Sequence, residues 1–265
     1  MGMLKKGFLG LALCALAGLT ARAGEDPQKN NQPQNSKPKP EIHGYLSTSF
    51  VSVYQPRLGL MIGSGPAHQN EAGISVSNVF REGDNASFGV WDTFDVRDKA
   101  VHEYDIVGYY SLGLGRGLNV RAGYERYNYP SGLLGEHDNF LDTAVGWHSG
   151  KIPLEVEIDA KTLLTGPTAG GALLFVKAGT GKKLADKNGY KLNFTNSVQY
   201  SHALGIFGFH GPAALRYDAE LALSKGKYSL AFNLRPQKGL GHFPDNPEKP
   251  IPSNLYWGVT LSRRF

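Results

Sequence analysis

The sequence predicts an all-β chain: an antiparallel transmembrane β-barrel of about 12 strands in meander order. Three observations predict it. The first is the run Tyr256-Trp257-Gly258-Val259-Thr260-Leu261-Ser262-Arg263-Arg264-Phe265. Strand side chains alternate between faces, so Trp257, Val259, Leu261 and Phe265 share one face while Tyr256, Gly258, Thr260, Ser262 and Arg264 share the other. One face suits hydrocarbon and the other water, as in a closing strand of an outer-membrane barrel. Arg263 interrupts the apolar face one step from its end, where a long cation can snorkel to headgroups. The second observation is segments of about ten alternating residues; the third is long and short connections in alternation.

The clearest alternation is Leu154-Glu155-Val156-Glu157-Ile158-Asp159-Ala160-Lys161, where every second residue is charged. A soluble sandwich seldom charges one strand face so fully; a wall between lipid and water does. Within 102–114, Tyr104, Ile106, Gly108, Tyr110, Leu112 and Leu114 oppose Glu103, Asp105, Tyr109 and Ser111. Within 118–127, Leu118, Val120, Ala122 and Tyr124 oppose Asn119, Arg121, Glu125 and Tyr127. The same holds for 141–148, for Leu215 to Leu223 and for Tyr228 to Arg235, and it blurs in 45–62, 73–81, 87–96 and 172–179. The expected strands are 43–62, 72–81, 86–96, 101–114, 117–129, 139–149, 152–164, 172–180, 190–201, 213–223, 227–235 and 254–265.

With both ends of the barrel on one side, every second connection should be tight. These fall near Gly83, at Gly115-Arg116, at Gly150-Lys151, over Lys182–Gly189 and at Ser224-Lys225-Gly226, with Asn85 and Asn188 as turn residues. The opposite connections are longer, among them His202–Pro212 and the Pro-rich 236–253. Tyr45, Trp91, Tyr127, Tyr129, Trp147, Tyr190, Tyr228, Tyr256 and Trp257 lie near strand ends and are expected as interfacial girdles.

Two segments precede the barrel, which is expected over residues 43–265. Residues 1–23 read as a cleaved secretory signal: Lys5 and Lys6, an apolar stretch Gly7 to Thr20 too short to span, then Ala21-Arg22-Ala23. Residues 24–42 are polar and Pro-rich and are expected to be a disordered linker. The single cysteine, Cys14, lies in the signal, so disulfides and thiolate metal sites are not expected afterwards. Lys5, Lys6 and Arg22 account for three of the five net positive charges, leaving +2, so the basic balance does not argue for nucleic-acid binding.

The polar faces turned inward give a pore lining of Glu103, Asp105, Arg121, Glu125, Asp142, Glu155, Glu157, Asp159, Lys161, Arg216, Asp218, Glu220, Arg235 and Arg264, with Lys191 and Lys227 beside them. Both charge signs occur, which suits a narrow channel for ions or small polar solutes with a slight cation preference. A filled, closed structural barrel or adhesin is the alternative, because 12 strands lie between small filled barrels and wide porins. The main alternative from another class is a barrel lipid hydrolase, suggested by Trp147-His148-Ser149-Gly150. Adjacent strand residues face apart, so His148 and Ser149 make a poor base and nucleophile, and no enzyme activity is expected. The eight histidines lack metal-ligand spacing, and Gly113-Leu114-Gly115-Arg116-Gly117 lacks the lysine of a phosphate loop. No metal or cofactor is expected.

His102-Glu103-Tyr104-Asp105 followed by Gly123-Tyr124-Glu125-Arg126-Tyr127-Asn128-Tyr129-Pro130 resembles the TorF-type porins, with their E-x-D start and G-x-x-x-Y-x-Y-P end. Ser52, Tyr54 and Arg57 resemble that family's S-x-Y-x-x-R element and Gly89-Val90-Trp91 its G-x-W strand, although Pro56 and Leu58 depart from the usual surroundings. The likeness covers roughly residues 45–150. It implies an outer-membrane barrel with pore activity and supplies no substrate. The expected partners are outer-membrane lipids, small polar solutes or ions, and the barrel-assembly machinery, which would read Trp257, Gly258, Val259, Leu261 and Phe265.

Overall fold

The computed structural model describes residues 39–52, 66–96, 101–129, 137–243, 246–251 and 253–265. The expected signal and most of the linker lie outside the described residues. The strands are β1 (Glu41–Val51), β2 (Ala67–Ser77), β3 (Asp84–Asp95), β4 (Val101–Gly115), β5 (Leu118–Asn128), β6 (His137–His148), β7 (Leu154–Leu163), β8 (Ala172–Lys187), β9 (Tyr190–Ile206), β10 (Phe209–Lys225), β11 (Tyr228–Gly239), β12 (His242–Phe243), β13 (Asn246–Pro250) and β14 (Asn254–Arg264). Twelve of them, β1 to β11 and β14, form one closed antiparallel barrel in meander order. β12 and β13 make a separate small hairpin in the last long connection.

Closure follows from the final alternating run. β14 pairs with β1 from Tyr45↔Arg264 to Val51↔Gly258. Phe265 extends the seam: Gly44 N–H donates to its carbonyl at 2.8 Å and its own N–H donates to the Gly44 carbonyl at 2.9 Å. The Phe265 ring occupies the space a side chain at Gly44 would need, so this glycine is required by close approach.

The wall separates two chemistries. Most outward side chains are apolar, and exposed ones occur around the barrel, including Leu46, Ile74, Phe88, Ile106, Val145, Ile158, Val198, Leu221, Phe232 and Leu261, with a hydrogen-bonded polar row of Thr48, Asn70 and Asp92 on β1 to β3. Monomeric proteins in water rarely expose contiguous apolar surface beyond a few hundred Å². Here it encircles the molecule, as hydrocarbon contact requires.

All five expected tight connections are short: residues 78–83, 116–117, 149–153, 188–189 and 226–227. Several boundaries differ from expectation. The first strand ends at Val51 rather than 62, and residues 53–65 lie outside the described residues. The second strand is shifted toward the N-terminus, because Asn78 adopts a positive φ of 58° and opens the turn there. Asn85 is a strand residue rather than a turn residue. His202–Pro212 is not a long loop: β9 and β10 continue to a two-residue turn at Phe207-Gly208, both with positive φ. β8 likewise runs on to a turn at Asn188-Gly189. Its Gly181–Lys187 part pairs with β9, while the ladder to β7 reaches only Thr180; Lys182, Lys183 and Lys187 protect that free edge.

Asp84 organises the first tight turn. Its carboxylate accepts the Val79, Phe80 and Arg81 amides at 2.6, 3.0 and 3.2 Å and the Tyr110 hydroxyl at 2.6 Å. Asp84→Ala is expected to lower stability, because three turn amides and the Tyr110 hydroxyl lose their acceptor. Equilibrium urea unfolding of the barrel in lipid measures it.

Candidate functional site: the barrel lumen

Period-2 alternation positions the site. Odd-numbered inward residues on β4, β5 and β7, and even-numbered ones on β6, β10 and β14, point away from lipid. In ring order β4 to β7 lie across the barrel from β10, β11, β14 and β1.

The β5–β7 wall carries an ionic network. Arg121 contacts Asp142 at 3.1 Å, Asp159 at 3.4 Å and Glu157 at 3.6 Å. Lys161 contacts Glu125 at 2.5 Å and Asp142 at 3.4 Å. The Tyr109 and Tyr127 hydroxyls both donate to Glu125. Arg121 also lies over the Tyr109 ring, 5.2 Å from its centroid. Glu125 and Asp142 are 0% and 1% exposed, so desolvation would be prohibitive without these cations and hydroxyls. Glu103 and Asp105, at 0% and 1%, are buried on β4 toward the long-loop end. Nearby, just past β5, burial and then the Glu103 carboxylate push the Tyr129 phenol above its ordinary range, so it stays protonated and hydrogen-bonds to Asp138.

Across the lumen Asp218 is shared by two arginines. Arg216 Nε reaches it at 2.9 Å and Arg235 Nε at 3.1 Å. Arg216 also donates to Gln199 at 3.2 Å, and Arg235 stacks over Tyr256 at 5.0 Å. The two walls thus differ in charge balance: acidic on β4–β7, and balanced on β10–β11, where Arg216 and Arg235 face Asp218 and Glu220.

Exposure is graded along the axis. On β7 Glu155 is exposed, Glu157 half-buried, and Asp159, Lys161 and Leu163 buried. On β14 Arg264 is exposed, Thr260 half-buried, and Gly258 and Tyr256 buried. The lumen is therefore a vestibule that opens at the short-turn end and narrows toward the long-loop end. The narrowing is apolar: Tyr127, Phe140, Leu163, Leu173, Phe175 and Ile206 form a core there, joined by Ile251. Ile251 is delivered by the folded-back last connection, its N–H donating to Gly241 O at 2.8 Å while Leu240 N–H donates to Ala213 O at 3.0 Å. A second group, Val51, Ala67 and Tyr256 with Trp91, packs on the opposite side.

All fourteen expected lining residues lie on the inward face, but they divide into an ion-paired, largely buried set on β4–β7 and a more accessible set containing Glu155, Glu157, Glu220, Arg235 and Arg264. Lys227 sits in a turn rather than on the wall, and Lys191 is exposed near the projecting hairpin tip. Of the expected girdle, Trp147, Tyr190, Tyr228 and Trp257 face outward and are exposed. Tyr45, Trp91, Tyr127, Tyr129 and Tyr256 instead turn inward, where apolar rings fill space and Tyr45 and Tyr127 hydrogen-bond lumen acids. Sequence reasoning missed Glu71 and Lys177 as inward residues; strand parity, once the second and eighth strands are placed, finds both. Ser149 Oγ accepts the Lys151 and Ile152 amides, both at 3.2 Å, and so caps the β6–β7 turn. Tyr54, Arg57 and Pro130 of the family-like motifs lie outside the described residues, whereas Gly123 is needed where a side chain would strike Tyr109.

No family model and no curated protein matches the chain. Solved structures do. The chain is similar to the KdgM porin, with a TM-score of 0.50 at 9% identity over 83% of this chain and 99% of that one. It is also similar to the NanC porin (TM-score 0.49, 10% identity, 82% and 98%) and to an outer-membrane channel from Pseudomonas putida F1 (0.48, 12%, 90% and 100%). At these identities the likeness speaks to fold, and the first of the three carries it: the chain has the fold of a porin-like β-barrel.

Proposed function

We propose that the protein is an outer-membrane channel for passive passage of ions or small polar solutes. One observation carries this reading: the lumen is faced by charged side chains whose exposure rises steadily toward the short-turn mouth, instead of by a uniform apolar core. A narrow passage faced by fixed charges of both signs admits small polar solutes and retards large ones. Its narrow, packed long-loop end sets a low size limit. The apolar outer belt supports a membrane location, and the expected leader and the porin-like fold support the outer membrane of a Gram-negative bacterium.

Trp257, Gly258, Val259, Leu261 and Phe265 serve in this reading as the signal for the barrel-assembly machinery. Kinship with the TorF-type porins rests on Gly123, Tyr127 and Tyr129, which fill the lumen beside Glu125. The role of Ser149 as a turn cap supports a non-enzymatic protein. The packed long-loop end favours a second reading, a closed structural barrel.

Proteoliposome swelling separates the two. Liposomes carrying the folded barrel are expected to swell in small polar solutes such as glycine or arabinose and to stay shut to a trisaccharide. No swelling in any solute, with the barrel folded, would favour the closed barrel.

A further inference from the structure

We propose that the lumen holds a binding site for small zwitterions of the α-amino-acid type, formed between Arg235 and Glu220. This rests on the channel reading and names the solute class.

A cavity of 280 Å³ inside the barrel is lined by Arg235 and two carboxylates, Glu220 and Glu71, together with Trp91, Tyr256 and Asn233; Glu71 already accepts the Tyr45 hydroxyl at 2.8 Å. It falls just under the range of about 300–1,000 Å³ that suits drug-sized ligands, so its occupant is small. The lining is polar, with two aromatic rings, and both charge signs face one space.

The Arg235 guanidinium is held in advance. Asp218 Oδ1 lies 3.1 Å from its Nε as an ion pair, and its Cζ lies 5.0 Å from the Tyr256 ring centroid. Arg235 lines the cavity, and its side chain is 31% exposed. A carboxylate can accept from both terminal nitrogens, a geometry that guanidinium provides and ammonium does not.

Glu220 is the next inward residue on β10 after Asp218, toward the short-turn end, and pairs in register with Asn233. Among the described residues it forms no ion pair, either with Arg235 or with any other cation. Two opposite charges on neighbouring strands therefore line one small cavity without neutralising each other. A solute with an ammonium and a carboxylate close together satisfies both at once. An anion meets Glu220 and Glu71 and a cation meets Arg235, each a repulsion that discriminates against singly charged solutes. The Asn233 amide supplies a neutral hydrogen bond to the solute.

The chain has three tryptophans, of which Trp147 and Trp257 face outward and Trp91 lines the cavity. Trp147→Phe with Trp257→Phe leaves Trp91 as the sole reporter. Fluorescence of this folded barrel in detergent, titrated with L-alanine, is expected to change saturably. Acetate and methylammonium at matched ionic strength are expected to bind at least roughly tenfold more weakly, as the loss of one charge-assisted contact implies. Arg235→Gln and Glu220→Gln should each weaken alanine binding by a similar factor. Retained heat-modifiable mobility on cold gels shows that each variant is folded, and Asp218 keeps Arg216 as its partner in Arg235→Gln. Acetate binding as well as alanine, binding indifferent to Glu220→Gln, or no saturation would overturn the site. Saturable, charge-dependent binding by a barrel that passes no current keeps the site and removes the channel; current without such binding does the reverse.

Discussion

Deleting residues 256–265 is expected to abolish formation of the closed barrel. The deletion removes every register pair between β1 and β14, from Tyr45↔Arg264 to Val51↔Gly258, and most of the β11 ladder to β14. Two edges of unpaired N–H and C=O groups would then face hydrocarbon, each group costing several kcal/mol. No other segment of the chain carries the same alternation in a position to replace it. Gly44→Val tests the same seam more gently: its side chain would displace the Phe265 ring while leaving the remaining register pairs available. The truncated chain should show no heat-modifiable band on cold SDS gels, and Gly44→Val should show a weakened one that melts at lower temperature. A compact, heat-modifiable truncated chain would contradict the proposed role of this strand.

Lys161→Met is expected to destabilise the barrel by about 3–5 kcal/mol. Lys161 is 8% exposed and holds Glu125 and Asp142, themselves at 0% and 1%. Methionine fills a similar volume, so packing changes little; the loss comes from leaving a buried carboxylate without its cation. Arg121 remains within 3.1 Å of Asp142, so the larger part of the cost falls on Glu125, which retains only the Tyr109 and Tyr127 hydroxyls. Adding Glu125→Gln to Lys161→Met should therefore recover part of the loss, because contacting residues in one network are not additive. Urea unfolding of the two single variants and the double variant in lipid measures the coupling. Additive losses would show that the pair contributes nothing beyond its separate packing.

The fold was legible because a lipid-facing wall must repeat with period 2, and the segments around Leu154 to Lys161 and Tyr256 to Phe265 do so with little interruption. Strand ends were less legible where the outward row stops being apolar. β8 continues through Lys182, Lys183 and Lys187 because its extension leaves the bilayer and needs no apolar face. The β9–β10 turn was missed because Phe207 is an unusual residue at positive φ, and Gly208 alone did not announce a two-residue hairpin.

The lumen was legible in orientation and not in depth. Parity alone turned Glu125, Asp142, Asp159 and Lys161 inward, but it could not tell that they bury one another while Glu155 and Arg264 stay wet. That distinction depends on the register of β5, β6 and β7, which sets these charges side by side, and on Ile251 folding in from the last long connection. The aromatic residues show the same limit. Trp91 and Trp147 both lie near strand ends, yet one packs with Tyr256 inside the barrel and the other meets lipid, because one-residue parity decides the face.

The central claim is that an ionic lumen with a narrow mouth conducts. Planar-bilayer recording of the purified, folded barrel tests it most directly. Discrete current steps with a slight preference for cations are predicted, as the acidic β4–β7 wall requires. Folded barrels that insert into the bilayer and pass no current would contradict it.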